Sequence, residues 1–102
     1  MDKKEFLKIY EKVSKSDRLS IENVGNSRNV SKFEDLNGII LLSDLVKETN
    51  SNNIISSLFF DTLFFQVSAS DLCDNITESD IRALMAFGIH YDKLKDKFFR
   101  YI

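Results

Sequence analysis

The apolar residues at the start of this chain recur with the period of a helix. Phe6, Ile9, Tyr10 and Val13 fall at i, i+3, i+4 and i+7, one face of a 3.6-residue repeat. Lys4, Glu5, Lys8, Glu11 and Lys12 take the opposite face, and Asp2 stands where an N-cap belongs. The spacing predicts an amphipathic first helix, and the Lys4–Lys8–Lys12 stripe reads as its solvated side. Residues 14–30 lose the period. Small polar residues and Gly25 mark turns there, and Leu19, Ile21 and Val24 read as a short strand or as anchors of an ordered loop.

The pattern resumes at Ser31–Lys32–Phe33–Glu34, which matches the S-x-x-E capping box. Asn37–Gly38 interrupts the apolar segment after that box, so a short helix, a break near Gly38 and a second helix from about Ile39 to Glu48 are expected. Thr49–Asn53 reads as a turn rich in caps. Ile54–Val67, IISSLFFDTLFFQV, is apolar nearly all round when drawn as a helix, the mark of an element buried on several sides. Ser68–Asp71 opens a turn or single-turn helix through Cys73. Asp92 is placed to cap a last helix, in which Leu94 and Phe98, then Lys95 and Phe99, are i, i+4 neighbours. The Phe-Phe-Arg-Tyr-Ile tail is expected to dock on the core.

One stretch specifies both of its ends. In Ile76–Ile89, ITESDIRALMAFGI, Thr77 is a good N-cap and Asp80, three residues on, completes a capping box. Ile76 and Ile81 form a hydrophobic staple across that cap. Gly88 suits the left-handed residue of a Schellman stop, with Ile89 folding back on Leu84. Together these elements predict a single domain over residues 1–102, an all-α compact bundle of five to seven short helices around a Phe-rich centre. The alternative is α+β, with residues 18–24, 38–46 and 58–67 as a small sheet.

Composition narrows the class. At 43% hydrophobic and 29% charged, a chain of 102 residues folds around one core. There is no Pro, and nine of the twelve aromatic residues are Phe. A single Cys, no apolar leader core and no run of membrane-spanning length point to the cytoplasm and away from a membrane. The net charge of −2 argues against nucleic acid as a partner and conceals an uneven distribution. Between Lys47 and Arg82 there is no Lys or Arg, while Asp61, Asp71, Asp74, Glu78 and Asp80 all lie there.

Reactive chemistry is sparse. Cys73 and His90 are the only Cys and His, too few for a structural zinc site. The acidic neighbour Asp74 raises rather than lowers the Cys73 thiol pKa, which argues against a nucleophile. The acids around residue 74 lack the spacing and the turn glycine of a calcium loop, and three glycines make no phosphate cradle. The expectation is a non-enzymatic protein with no cofactor and no metal. The acidic segment then reads as a docking face for a basic protein, centred on Asp71, Asp74, Glu78 and Asp80 with Tyr91 as an anchor.

The small size, the acidic Ser70–Asp80 segment and the texture of ITESDIRALMAFGIHYD resemble small bacterial immunity proteins. These neutralise toxin domains such as those of contact-dependent growth inhibition systems. The resemblance implies a cytoplasmic inhibitor that forms a one-to-one complex with a basic toxin domain. The competing expectation is a self-associating structural or regulatory α-helical module that forms a homodimer through its Phe-rich face.

Overall fold

The computed structural model describes every residue except 17, 27 and 48–51, and for Leu19 the backbone alone. Five helices and four strands follow one another among the described residues: α1 (Lys3–Ser14), α2 (Arg18–Asn26), α3 (Glu34–Leu45), β1 (Ile55–Phe59), β2 (Thr62–Phe65), α4 (Ala69–Leu72), α5 (Glu78–Ala86), β3 (His90–Asp92) and β4 (Lys97–Tyr101). The strands form one antiparallel sheet in the order β1-β2-β4-β3. The fold is therefore α+β, which corrects the all-α expectation. It also departs from the sheet alternative in detail. Of its three segments only 58–67 holds strand, the end of β1, a turn and β2, while 18–24 lies in α2 and 38–45 in α3.

The helices of residues 54–67 and 92–102 are replaced by hairpins, each reversed at a tight turn. In the first, Phe59 pairs with Thr62 across a two-residue turn, Phe60–Asp61. The five-residue spacing of the two Leu-Phe-Phe triplets sets Leu58 opposite Leu63 across that turn. Phe60 has φ 55°. Turns this tight normally place Gly, Asn or Asp at such a position, so the hairpin carries no recognisable turn signal. In the second, Asp92 does cap, but it caps a turn: its Oδ1 accepts from the N–H groups of Leu94 (2.9 Å) and Lys95 (3.1 Å). Asp96, at φ 51°, completes the reversal. Beyond it Phe98 and Phe99 point to opposite faces of the sheet, as the two-residue period of a strand requires. Phe98 is buried against Phe6 and Tyr91 on the inner face, while Phe99 lies with Phe64 and His90 on the outer one. The tail thus docks as an interior strand, leaving Tyr101 and Ile102 exposed.

The helical layer follows its sequence signals more closely. Asp2 caps α1 by accepting from the Glu5 N–H, and Phe6 and Val13 are fully buried. Ser68 and Asp71 form a capping box on α4. At α5 both predicted ends are present. Thr77 and Asp80 make the reciprocal capping box. Gly88 takes φ 78°, and the N–H groups of Ile89 and Gly88 donate to Leu84 (2.8 Å) and Met85 (3.0 Å), the two bonds of a Schellman stop.

The glycines of the first half have packing roles instead of breaking roles. α2 occupies the stretch expected as loop, and a Cβ on Gly25 would lie 2.4 Å from the Ala86 Cβ of α5. α3 runs unbroken through Gly38, where a Cβ would meet Ile89 at 2.7 Å. Each glycine lets a neighbouring backbone come close. α3 also starts later than its capping box implies. Phe33 is the N-cap and gives no side-chain cap, while the Ser31 hydroxyl accepts from the Phe33 N–H at 3.1 Å. The helix ends at Leu45. The Glu48 end expected for it and residues 49–51 of the expected turn lie outside the described residues.

Buried Asn37 organises the irregular segment before α3. Its Oδ1 accepts from the N–H groups of Val30 (3.0 Å) and Ser31 (2.7 Å), and its Nδ2 donates to the Ser31 carbonyl (2.8 Å). A side-chain amide supplies the pairing that strand or helix would otherwise provide to this backbone.

The α2–α5 contact yields a prediction. Gly25→Ala gains about 1 kcal/mol of helix propensity. It overpacks the Ala86 contact by more, for a net destabilisation of about 1–2 kcal/mol in urea unfolding. Ala86→Gly in the same chain should recover part of the loss, because it removes the opposing methyl group.

Candidate partner-binding surfaces

The acidic segment is divided by the fold. Asp80 is almost completely buried at the start of α5. One carboxylate oxygen accepts from the Thr77 N–H and hydroxyl, each at 2.9 Å, and the other accepts from the Arg28 guanidinium. Arg28 also donates to the Ser79 hydroxyl at 3.0 Å, which ties the end of the α2 segment to α5. Glu78 accepts from Lys12 (2.9 Å) and from Arg82 (3.2 Å). Those hydrogen bonds, Lys12 first, hold its carboxyl below the usual range. So the negative charge of both α5 acids is answered from within the chain.

Asp71 and Asp74 remain on the surface. Asp71 is exposed, although one of its oxygens closes the α4 capping box by accepting from the Ser68 N–H at 2.9 Å. The Asp74 side chain is 72% exposed, with Lys47 at 3.5 Å. A pair this exposed contributes little. Tyr91 is placed differently from a surface anchor. Its ring is buried against Phe6 and Phe98, with centroids 5.1 Å away in each case. Its hydroxyl donates to Asp96. Burial, with Asp96 second, pushes the Tyr91 phenol well above the ordinary tyrosine value. At Asp96 burial opposes ionisation, but hydrogen bonds from Tyr91, the Ala69 N–H and Lys3 outweigh it and hold the carboxyl low.

The two candidate reactive groups also have local roles. The Cys73 thiol donates to the Ala69 carbonyl at 3.0 Å, and burial raises its pKa, with the nearby acids adding to the effect. A raised thiol pKa suppresses the thiolate. His90 is half-buried on the outer face of the sheet, its ring 5.5 Å from Phe99 and 6.2 Å from Tyr101. Burial, then the Arg100 charge, lowers its pKa. Among the described residues no group of three His, Cys, Asp or Glu is placed to hold a metal ion. An open groove of about 630 Å³ runs between α2, the segment before α3 and the end of α5, with Arg18, Glu22, Asn29, Met85 and His90 in its walls. Arg18 and Glu22 pair with each other on its rim at 2.9 Å. No helix among the described residues is long and apolar enough to cross a membrane.

The feature hidden from sequence reasoning is the β1 edge. Along the inner face the covering by helices fails from one side of the sheet to the other. Tyr91 on β3, Phe98 on β4 and Phe65 on β2 are buried, and Leu63 is half-buried. On β1, Leu58 is 60% exposed and Ile55 is 51% exposed. On the outer face Phe59 is 61% exposed, and at the turn Phe60 is 86% exposed. The only signal was the absence of charge from Asn52 to Phe60, which in a helical reading stands for burial. Comparison with family models, curated proteins and solved structures gave no match.

The lowered His90 pKa has a thermodynamic consequence. Below its ordinary value of 6.5 the unfolded chain takes up this proton before the folded chain does. Its contribution is therefore complete above that value and is lost as the pH falls through the folded pKa. Denaturant midpoints for His90→Phe should show a flatter pH profile in this window than the unaltered chain. An equal slope would mean that another group titrates there.

Proposed function

We propose that this chain is a small non-enzymatic protein-binding module. The observation that carries this reading is the apolar surface of the first hairpin, where Leu58, Phe59 and Phe60 are each 60% exposed or more. Exposed apolar groups concentrated at one place mark interaction sites in small proteins. The side chains suited to nucleophilic chemistry support the same reading, since the Cys73 thiol donates to the Ala69 carbonyl and His90 packs beside Phe99 and Tyr101.

Within that class we infer a cytoplasmic inhibitor of the immunity type, with a basic toxin domain as partner. Asp71 and Asp74 are its outward acids, Asp71 in the α4 capping box and Asp74 just past the end of that helix. Glu78 and Asp80 support the same surface from behind, as the acids that lock α5 to α1 and to the α2 segment. The second reading, a self-associating module, is favoured by the uncharged β1 edge.

Co-expression with the toxin domain tests the inhibitor reading directly: growth arrested by the toxin alone should resume when this chain is present. Asp71→Lys with Asp74→Lys should slow association with that partner and flatten its salt dependence, because steering by exposed charge is screened by ions. Thermal unfolding of Asp74→Lys alone should stay close to that of the parent, whereas Asp71→Lys also opens the α4 capping box and should lower the midpoint. Association rates that keep the same salt slope would remove these two acids from the interface.

A further inference from the structure

The two edges of the sheet are treated differently. β3 is three residues long, and the N–H of Tyr91 is taken up by the Tyr10 hydroxyl of α1 at 3.1 Å. That edge is short and covered, two of the usual protections against further pairing. β1 is five residues long and terminal. From Asn52 to Phe60 it carries no Lys, Arg, Asp, Glu or Pro. The bulge between Ile55 and Ser57 is the only edge-blunting device in it.

The exposed side chains of β1 lie on both faces. Leu58 is on the inner face with Leu63, and Phe59 is on the outer face in the row of Thr62 and Tyr101. A protein laid on either face would leave the other bare. A strand added in the plane of the sheet covers both, because its side chains alternate in the same way.

We propose that the occupant is a second copy of this chain, its β1 paired antiparallel with the first so that the two sheets become one. This rests on the protein-binding reading and names the partner of the hairpin edge. Three observations favour a second copy. An isologous pair sets a strand against itself, and an uncharged strand meets no like charge when it does so. The ends are complementary: Lys97 reaches the Ser56 hydroxyl near the start of β1, at 2.7 Å, while Asp61 is exposed just past its end. Antiparallel pairing brings the Asp61 end of each copy to the Lys97 end of the other. The area fits a small interface: the exposed parts of Ile55, Leu58, Phe59 and Phe60 come at most to roughly 500 Å² per copy, near the lower bound of about 1,000 Å² in total for a specific pair.

Sedimentation of the full chain at micromolar concentration is the test, with Ser57→Lys and Leu58→Lys as variants. Both positions are exposed, so neither change removes core packing. The expected result is a dimer for the parent, loss of the dimer for each variant with unchanged thermal unfolding, and a weakened dimer for Asp61→Lys. A parent chain that is monomeric throughout this range overturns the proposal. So does a dimer that both lysine variants leave intact. A monomer that still rescues cells from a toxin domain overturns the pairing and leaves the inhibitor reading standing, whereas a β1-dependent dimer that rescues none supports the pairing and removes the inhibitor.

Discussion

The helix stop at Gly88 joins the two layers of this protein. α5 ends because Gly88 adopts a positive φ that other residues rarely adopt, and Ile89 turns back to donate to Leu84. The next residue, His90, begins β3, so the direction of that strand is set by the stop. The sheet then secures the stop. Arg100 on β4 donates from its guanidinium to the Phe87 carbonyl at 2.6 Å, one of the acceptors a helix leaves unpaired at its end. A Cβ at residue 88 would lie 1.9 Å from that guanidinium, so the arginine would have to shift, whereas the positive φ itself favours glycine. α3 reaches the same joint, with Gly38 against Ile89.

The opposite end of α5 is held by charge. Asp80 closes the capping box and accepts from Arg28, and Glu78 accepts from Lys12 and Arg82. These pairs draw α1 and the end of the α2 segment onto one helix. Electrostatics that a sequence displays as an acidic stretch is here largely an internal fastening. Asp71, Asp74 and the hairpin are what remains exposed, a surface of weak charge and apolar side chains.

That hairpin also shows how a layer of limited extent leaves apolar surface bare. The helices cover three strands of the sheet and leave the fourth overhanging. β1 has β2 as its one strand neighbour, and its exposed apolar side chains have no inner layer to meet. A strand of this kind is suited to extension by another strand, and the protected β3 edge ensures that extension has one direction.

The start of α1, the turn that opens α4 and both ends of α5 were legible in the sequence because capping is local chemistry. Thr77 with Asp80, Ser68 with Asp71, Asp2 and Gly88 act on groups within a few residues, so their roles do not depend on the rest of the fold. The α1 stripe was legible for the same reason. Tertiary structure alone decided the remainder. Gly25 and Gly38 look like breaks until α5 and Ile89 are set against them, because close approach is a property of two elements. The Phe-rich segments 54–67 and 92–102 satisfy a helical and a strand pattern alike, and pairing with one another made them strands. The candidate site divides in the same way. The acidic stretch can be read along the chain, but which acids face outward depends on where Lys12 and Arg28 arrive. The bare β1 edge depends on where the helical layer stops.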